Sequence, residues 1–201
     1  MTPDLGKMNP SRITRKRGGK GAFSGRGTRV AKPSPGAPGL PILLRVGIGN
    51  DLHRLAGGRK LILGGVRIPF DQGPVGHSDG DVLAHAICDA LLGAAQLGDI
   101  GRHFPNSSPR WKNASSLLFL RHVRRLLGAA GCSIVNIDAT VGLERPRLAP
   151  HIPLMERKVA SALALQPGQV SVKVKSGEGL DAVGRGEAVR ADAVALILIR
   201  T

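Results

Sequence analysis

Three residues of the sequence have the types and spacing needed to bind a metal ion. Two of them, Asp51 and His53, lie two positions apart in a predicted strand, so their side chains leave the same face of the sheet. A carboxylate and an imidazole directed together can supply two of the three protein ligands of a catalytic Zn²⁺ site. The alternative for this pair is an aspartate that only orients a histidine.

The third ligand is predicted on a helix. Asp81, His85 and Asp89 recur at four-residue spacing and form a polar stripe on an otherwise apolar helix. A solvated face is the simpler interpretation, but such a face should carry long Lys, Glu or Arg side chains, and here it carries short acids and a histidine. His85 is therefore the predicted third ligand, which leaves a fourth position for substrate. Asp89 is predicted to hold its imidazole.

The elements that carry these residues predict an α+β domain. Ser78, with Asp81 three positions later, resembles a capping box before the first helix, and Gly131 follows the second helix as its cap. In chain order the prediction is strands 44–55 and 60–69, helices 79–97 and 115–130, strand 133–143, helix 152–165, and strands 170–174 and 188–199. We predict a four-stranded mixed sheet with helices on one face and a ferredoxin-like βαβ arrangement.

Composition divides the chain into a basic extension, residues 1–44, and a domain, residues 45–201. The extension holds nine Lys or Arg residues against one acid, hence +8 of the net charge of +15, together with eight Gly and six Pro. It shows no hydrophobic periodicity, so it cannot bury enough apolar surface to offset its ordering entropy. A disordered tail is favoured; a nucleic-acid-binding arm and a transit peptide are the alternatives.

The composition also bears on compartment. No run approaches the roughly 18 consecutive apolar residues of a membrane span. Cys88 and Cys132 lie in apolar surroundings and predict buried thiols of a reducing compartment rather than a disulfide framework. We expect a bacterial-type cytoplasmic protein with no membrane partner, or a plastid protein if the extension is a transit peptide.

Short motifs follow one another in register across residues 45–201. The run His77-Ser78-Asp79-Gly80-Asp81 stands between Asp51-x-His53 and His85. Six further motifs follow in order: Leu91-Leu92-Gly93-Ala94-Ala95, Gly98-Asp99-Ile100-Gly101, Phe104-Pro105, Glu144-Arg145-Pro146-Arg147, Pro150-His151-Ile152-Pro153 and Gly184-Arg185-Gly186-Glu187. Together they resemble the 2-C-methyl-D-erythritol 2,4-cyclodiphosphate synthase family, and only the basic extension lies outside the resemblance.

The resemblance implies an enzyme of non-mevalonate isoprenoid synthesis. The family cyclises 4-diphosphocytidyl-2-C-methyl-D-erythritol 2-phosphate with release of CMP, a phosphorus–oxygen lyase reaction. It is a homotrimer with active sites between subunits, each holding Zn²⁺ and a second divalent ion, Mg²⁺ or Mn²⁺. The resemblance assigns Zn²⁺ to the three residues that the spacing selects. It assigns the second ion to Glu178 and transition-state stabilisation to His77 and Ser176.

The remaining family contacts are carried over by position. Residues 99–101 and 104–108 correspond to the methylerythritol phosphate pocket, 143–149 to the cytidine loop, and 175–178 to the diphosphate and ribose side. The implied substrate contacts are Asp51, His53, His77, Ser78, Asp99, Ile100, Gly101, Phe104, Pro105, Asn106, Ser107, Ser108, Leu143, Glu144, Arg145, Pro146, Arg147, Leu148, Ala149, Lys175, Ser176, Gly177, Glu178, Ala182 and Arg185. Asp99 as a turn residue at a helix end and Arg147 as a solvated charge are the alternatives.

The sequence departs from the family pattern at positions that bear on turnover. A Thr-rich run is usual before Glu178, whereas here the run is Lys175-Ser176-Gly177, which keeps a hydroxyl and adds a cation. Asn106 stands where an Asp is common and loses that charge. A degenerate homologue that trimerises without turnover therefore stays open. The rival from another class, a nucleic-acid-binding protein, would rely on the basic arm, because only 2% of the residues are aromatic and few rings can stack on bases.

A further set of changes concerns a cavity that the family places on its trimer axis and that can hold isoprenoid diphosphates. Ile48, Asn50 and Ala182 stand where the family often has His, Phe and Phe. Because the aromatic lining is absent, this secondary ligand is expected to bind weakly or not at all. Arg185 and Glu187 remain; an ion pair that forms the trimer is the favoured alternative for them.

Overall fold

The computed structural model describes residues 42–200. Of the predicted extension, residues 1–44, residues 1–41 lie outside the described residues. Its three interpretations (a disordered tail, a nucleic-acid-binding arm and a transit peptide) stay predictions. Residues 42–44 already belong to the first strand.

The described chain contains seven strands, five α-helices and two short 3₁₀ turns. In chain order they are β1 Ile42–Gly57, β2 Leu61–Leu63, β3 Val66–Ile68, β4 Gln72–Pro74, α1 Val82–Ala94, α2 Ile100–His103, the 3₁₀ turn Pro109–Trp111, α3 Ser116–Ala129, β5 Cys132–Gly142, the 3₁₀ turn Ala149–His151, α4 Ile152–Leu163, β6 Val170–Lys175, α5 Asp181–Gly184 and β7 Ala188–Arg200.

The main sheet has five strands in the order β4-β1-β7-β5-β6, and only β5 and β6 pair in parallel. The mixed α+β class is confirmed, but the predicted count of four strands misses β4. That strand has three residues, including a glycine and a proline, and therefore carries no alternating pattern. The predicted βαβ arrangement is present in β5, α4 and β6. The full order differs from the ferredoxin-like order because two strands, β6 and β7, follow α4 without a helix of comparable length between them.

The single strand predicted over residues 60–69 is a hairpin of β2 and β3. Gly64 and Gly65 form its turn with φ of 56° and 71°. Two consecutive positive φ values match a type I′ turn, which glycine adopts without strain. The glycine pair was the turn signal that the prediction passed over.

The helices cover one face of the main sheet, as predicted. Alternate side chains of β5 and β7 are buried against them: Ile137, Ala139, Val141, Val189, Ala191, Ala193, Ala195 and Ile197. Helix α1 packs on β1 and β7 and is buried along almost its whole length. The other face of β1 is exposed. The sheet is therefore a platform that α1 contacts from one side only.

Helix α1 begins at Val82, three residues later than predicted, and Ser78 is not its cap. Asp81 is the N-cap, since its Oδ1 accepts a hydrogen bond from the Ala84 N–H at 3.1 Å. The same carboxylate accepts from the Gly64 and Gly65 N–H groups at 2.9 and 2.6 Å. Asp81 is completely buried and ties the β2–β3 turn to the helix start.

The burial of Asp81 predicts a pH-dependent stability. Burial, and secondarily the charge of Asp79, raise its pKa from 3.8 to about 6. The folded state then binds this proton more tightly than the unfolded state, so the stabilisation is complete below pH 3.8 and is lost as pH rises through about 6. We expect the free energy of unfolding to fall between these values by on the order of 3 kcal/mol more in the wild type than in Asp81→Asn. Urea unfolding of the two chelator-treated proteins at several pH values gives the slope of the free energy of unfolding against pH for each. Equal slopes for the wild type and Asp81→Asn would contradict the prediction.

Cys88 and Cys132 are both buried and unbonded, as predicted. Between residues 42 and 200 no helix is both long and apolar enough to cross a bilayer.

Candidate metal centre

Strand β1 and helix α1 bring Asp51, His53 and His85 together. Asp51 and His53 project from the face of β1 that α1 covers, and His85 projects from α1. The Asp51 Oδ2 atom lies 2.8 Å from His85 Nδ1 and 3.1 Å from His53 Nε2. One donor atom from each residue lies within 4.8 Å of the other two, and this is the one such group found in residues 42–200. The ligand cluster predicted from spacing is therefore present.

The cluster is largely shielded from solvent, with 12–24% of each side chain exposed. Burial acts to raise the pKa of Asp51, but the hydrogen bonds and charges of His53 and His85 outweigh it and hold the pKa well below its usual range. Burial likewise acts to lower the pKa of His85, and Asp51 more than compensates. The carboxylate is therefore ionised and available as a ligand.

Two observations fit this cluster to a metal ion. The His53 Nε2 atom is buried, and none of the described residues gives it a well-aligned hydrogen bond. Asp51 Oδ2 is close enough, at 3.1 Å, but it does not lie in the direction that a hydrogen bond with Nε2 requires. A carboxylate and two imidazoles are also the donor set of many catalytic zinc sites. Both the donor set and the unpartnered nitrogen are accounted for by a divalent cation among the three side chains.

Asp89 does not perform the role predicted for it. Asp89 does not hold the His85 ring; its Oδ1 accepts from the Ile100 N–H at 2.7 Å and so fixes the start of α2. Asp81 is the helix cap. The residues that do contact the outer nitrogen of His85, Ser116 and Ser78, lie at 2.9 and 3.1 Å.

The sequence prediction missed Ser116 and its partner Asp79. Ser116 is the first residue of α3 and is completely buried. The segment before α3 pairs with the loop before α1: the Asp79 N–H donates to Ala114 O at 3.1 Å, and the Asn113 N–H donates to His77 O at 2.9 Å. No local pattern in the sequence marks this contact.

A pocket of about 530 Å³ opens next to the cluster. Nine of the predicted site residues line it: Asp51, His53, His77, Ser78, His85, Ile100, Gly101, Phe104 and Pro105. Asn106, where the family often has Asp, is a tenth. The prediction missed four further lining residues, Val75, Gly76, Trp111 and Phe119. The rings of Trp111 and Phe119 pack on Phe104, and the three rings together form an apolar wall of the pocket.

Three predicted contacts border the pocket without lining it. The His77 Nε2 atom lies 3.2 Å from the Ser108 carbonyl, which can only accept, so this nitrogen carries the proton. Ser107 is exposed beside it. Asp99 accepts from the Arg102 N–H at 2.9 Å as the N-cap of α2, which is the helix-end role left open in the sequence.

Two predicted segments lie apart from this pocket. Residues 143–149 and 175–178 follow the ends of β5 and β6, which pair in parallel, so both leave the sheet at one edge. The Gly177 N–H donates to Glu144 Oε2 at 3.0 Å, and Ser176 Oγ donates to Glu178 Oε1 at 2.6 Å. Glu178 is not part of the metal cluster. Leu143 and Leu148 have buried side chains, whereas Arg145, Arg147 and Ala149 are exposed around the half-buried Pro146.

Ala182 and Arg185 line a second cavity, of about 760 Å³, together with Leu52 and Glu187. Arg185 binds Glu187 in a bidentate ion pair at 3.0 and 3.2 Å within one chain. Ile48 and Asn50 are exposed on the open face of β1.

Comparison with known proteins identifies the family. The sequence profile of the YgbB family matches residues 44–198. The 2-C-methyl-D-erythritol 2,4-cyclodiphosphate synthase of Nitrosospira multiformis is 54% identical over 153 residues, which cover 76% of this chain and 86% of that protein.

Solved structures agree with the sequence comparison. A 2C-methyl-D-erythritol-2,4-cyclodiphosphate synthase in a CDP-bound form is similar with a TM-score of 0.71 and 40% identity, over 76% of this chain and 99% of the other. The bifunctional IspDF of Campylobacter jejuni has a TM-score of 0.76 and 35% identity, over 79% of this chain but only 43% of that chain. The resemblance in the motifs is therefore confirmed, and the chain belongs to the 2-C-methyl-D-erythritol 2,4-cyclodiphosphate synthase family, lyases of isoprenoid synthesis that form a cyclic diphosphate and release CMP.

Proposed function

We propose that the family reaction takes place in this chain beside the Asp51–His53–His85 cluster, with Zn²⁺ or a similar divalent transition metal held by these three residues. The substrate is 4-diphosphocytidyl-2-C-methyl-D-erythritol 2-phosphate. The observation that carries the proposal is the convergence of one donor atom from each of the three side chains at the edge of the 530 Å³ pocket.

The chemistry requires few protein groups. An oxygen of the 2-phosphate attacks the β-phosphorus, the bond from that phosphorus to the bridging oxygen breaks, and CMP leaves with the bridging oxygen. The attacking phosphate is already ionised near neutral pH, so no side-chain base is required. The chain must hold two anionic groups together and stabilise the charge that develops on the β-phosphorus. When bound, the metal supplies Lewis-acid stabilisation of that charge.

His77 is the pocket residue best placed to stabilise the reacting phosphate. Its Nε2–H is anchored on the Ser108 carbonyl at 3.2 Å, which fixes the ring at the pocket wall. Ser78 and Gly101 line the same pocket and bind the sugar phosphate through their polar groups. Ile100, whose N–H is donated to Asp89, contributes an apolar contact. Asn106 takes part as a hydrogen-bonding group without the negative charge of an aspartate.

The cytidine and diphosphate side is assigned to residues 143–149 and 175–178, as the resemblance implies. The Glu144–Gly177 hydrogen bond of 3.0 Å joins these two segments into one surface. Ser176 serves as the second transition-state stabiliser, and Glu178 binds the second ion, Mg²⁺ or Mn²⁺. Because this surface lies apart from the metal pocket of its own chain, a neighbouring copy supplies it.

An exposed apolar sheet face supports a homotrimer. Leu44, Val46, Ile48 and Leu52 of β1 are 55–73% exposed, all on the side opposite α1, and Val194 of β7 is beside them at 43%. A contiguous apolar strip of this kind marks an interface between chains. The Arg185–Glu187 pair is proposed to lie at the same interface. Localisation in a bacterial-type cytoplasm, or in a plastid if residues 1–44 are a transit peptide, stays a prediction.

Metal-dependent CMP release tests the proposal. We expect the full chain to release CMP from the substrate, to stop after treatment with a zinc chelator, and to recover when Zn²⁺ is restored in the presence of Mg²⁺. The matched control is the same cytidine compound without its 2-phosphate, which has no attacking group. A folded, zinc-loaded chain that releases no CMP, or one that releases it equally from the control compound, would refute the proposed reaction.

A further inference from the structure

The buried Ser116 and the half-buried Asp79 form a hydrogen-bonded pair on the ring nitrogen of His85 that does not face Asp51. The Ser116 Oγ atom lies 2.9 Å from His85 Nε2 and also contacts Asp79 Oδ1. The Ser116 N–H donates to the other carboxylate oxygen, Asp79 Oδ2, at 3.0 Å. Asp79 thus receives both the hydroxyl and the amide of one residue, which fixes the orientation of the serine.

The directions of these hydrogen bonds follow from the donors available. An ionised carboxylate only accepts, so the single hydroxyl proton of Ser116 is donated to Asp79. The Ser116 oxygen then has only lone pairs left for His85, and the His85 Nε2 atom must be the donor. The Nδ1 atom lies 2.8 Å from Asp51 Oδ2, so without a metal ion any proton on Nδ1 is donated to that carboxylate. A metal ion bound by both groups takes the place of that proton and leaves a neutral imidazole with its one proton on Nε2.

We infer that Ser116 and Asp79 are positioning residues that hold His85 in its Nε2–H tautomer and so keep Nδ1 available as a metal ligand. The inference rests on the proposed function, because it assumes that a metal ion binds at Asp51, His53 and His85. A hydrogen bond on the outer nitrogen of a ligating histidine fixes its tautomer and ring orientation and increases its basicity as a ligand.

Phe119 restricts the same ring from its face. Its ring is stacked on His85 with an interplanar angle of 17° and a centroid distance of 6.0 Å, and it belongs to the same helix as Ser116. The start of α3 therefore determines both the rotation and the protonation of His85. The Ser78 Oγ atom, at 3.1 Å from Nε2, can accept from the same nitrogen and so is compatible with this tautomer.

Zn²⁺ affinity tests the inference. By competition with a chromophoric chelator, we expect Ser116→Ala to bind Zn²⁺ about 10- to 100-fold more weakly than the wild type. The matched control is Ser115→Ala, which removes the same hydroxyl from the exposed neighbouring residue, whose side chain makes no capping bond. Ser116→Ala with an affinity within twofold of the wild type and of Ser115→Ala would overturn the inference.

Nitrogen-15 spectra of histidine-labelled protein show which ring nitrogen of His85 carries the proton. In the Zn²⁺-loaded wild type we expect a protonated Nε2 on His85, a readout that requires no variant to fold; an unprotonated Nε2 would overturn the inference. Asp79→Asn keeps the shape of the side chain. If the amide oxygen of the new asparagine still accepts from the Ser116 N–H, its NH₂ group faces Ser116 Oγ and donates to it. The hydroxyl then donates to His85, and the Zn²⁺ affinity should fall at least 10-fold.

The two proposals fail in different ways. If His85→Ala abolishes Zn²⁺ binding while Ser116→Ala and Asp79→Asn leave it unchanged, the metal site stands and the positioning role is wrong. If the wild type itself binds no Zn²⁺, both are wrong.

Discussion

Replacing His85 with alanine is expected to remove stoichiometric Zn²⁺ binding and to lower the rate of CMP release about a thousandfold or more. The variant loses one of the three protein ligands and leaves Asp51 and His53 as a two-ligand site on a single strand. A bound metal contributes several kcal/mol to stabilising transition-state charge, and each ~1.4 kcal/mol corresponds to a factor of ten in rate. Metal analysis of the purified protein and the CMP assay measure the two effects on one sample.

His151→Ala is the matched control for this variant. His151 precedes α4, and its side chain makes no capping bond to that helix. We expect this variant to retain both Zn²⁺ and CMP release within about twofold. If His85→Ala released CMP at the wild-type rate, the cluster would have no part in the reaction, and the catalytic assignment would have to move to the segments that follow β5 and β6.

The metal ligands were predictable because each lies on a regular element with a strong period. Asp51 and His53 obey the two-residue period of a strand, and His85 lies on a helix that is apolar enough to be recognised. The missing information was how α1 meets β1, and the family resemblance supplied it. The same periods cannot show which partner each acid of a stripe binds, which is why the role predicted for Asp89 was wrong.

Contacts between loops were not predictable in this way. The pairing of residues 113–116 with 77–81 brings Asp79 onto Ser116, yet neither segment has a repeating pattern. The start of α1 is a different case, because the capping partner of Asp81 is local, the Ala84 N–H three positions later, and the prediction chose Ser78 as the cap instead. The two N–H groups that Asp81 accepts from the β2–β3 turn lie 16 and 17 positions away in sequence and were not predictable.

The segments that follow β5 and β6 raise a different difficulty. Their residues match the family in sequence, but they do not reach the metal pocket of their own chain. The active site proposed here is shared between subunits, so it depends on the arrangement of the copies, which one chain does not contain. In the proposed trimer, the exposed Leu44, Val46 and Ile48 act on the site through the contact between copies.

The close approach of α1 to β1 predicts the second large effect. Gly49 lies two residues before Asp51 and faces the helix. A Cβ atom at Gly49 would be 2.1 Å from the Ala86 carbonyl oxygen and 2.6 Å from the Ala90 nitrogen, which are backbone atoms that cannot rotate aside. Helix α1 would have to move away from β1, and His85 would move with it.

We therefore expect Gly49→Ala to destabilise the chain by about 3 kcal/mol or more and to weaken Zn²⁺ binding in any fraction that folds, because the helix that carries His85 separates from the strand that carries Asp51. Gly57→Ala is the matched control, since it adds the same methyl group to the same strand where nothing lies within 4 Å. That variant should stay within about 0.5 kcal/mol of the wild type or gain slightly in stability. Urea unfolding of the chelator-treated proteins separates packing from metal binding. Equal midpoints for the two variants would mean that α1 does not rest on β1 as closely as the structure has it.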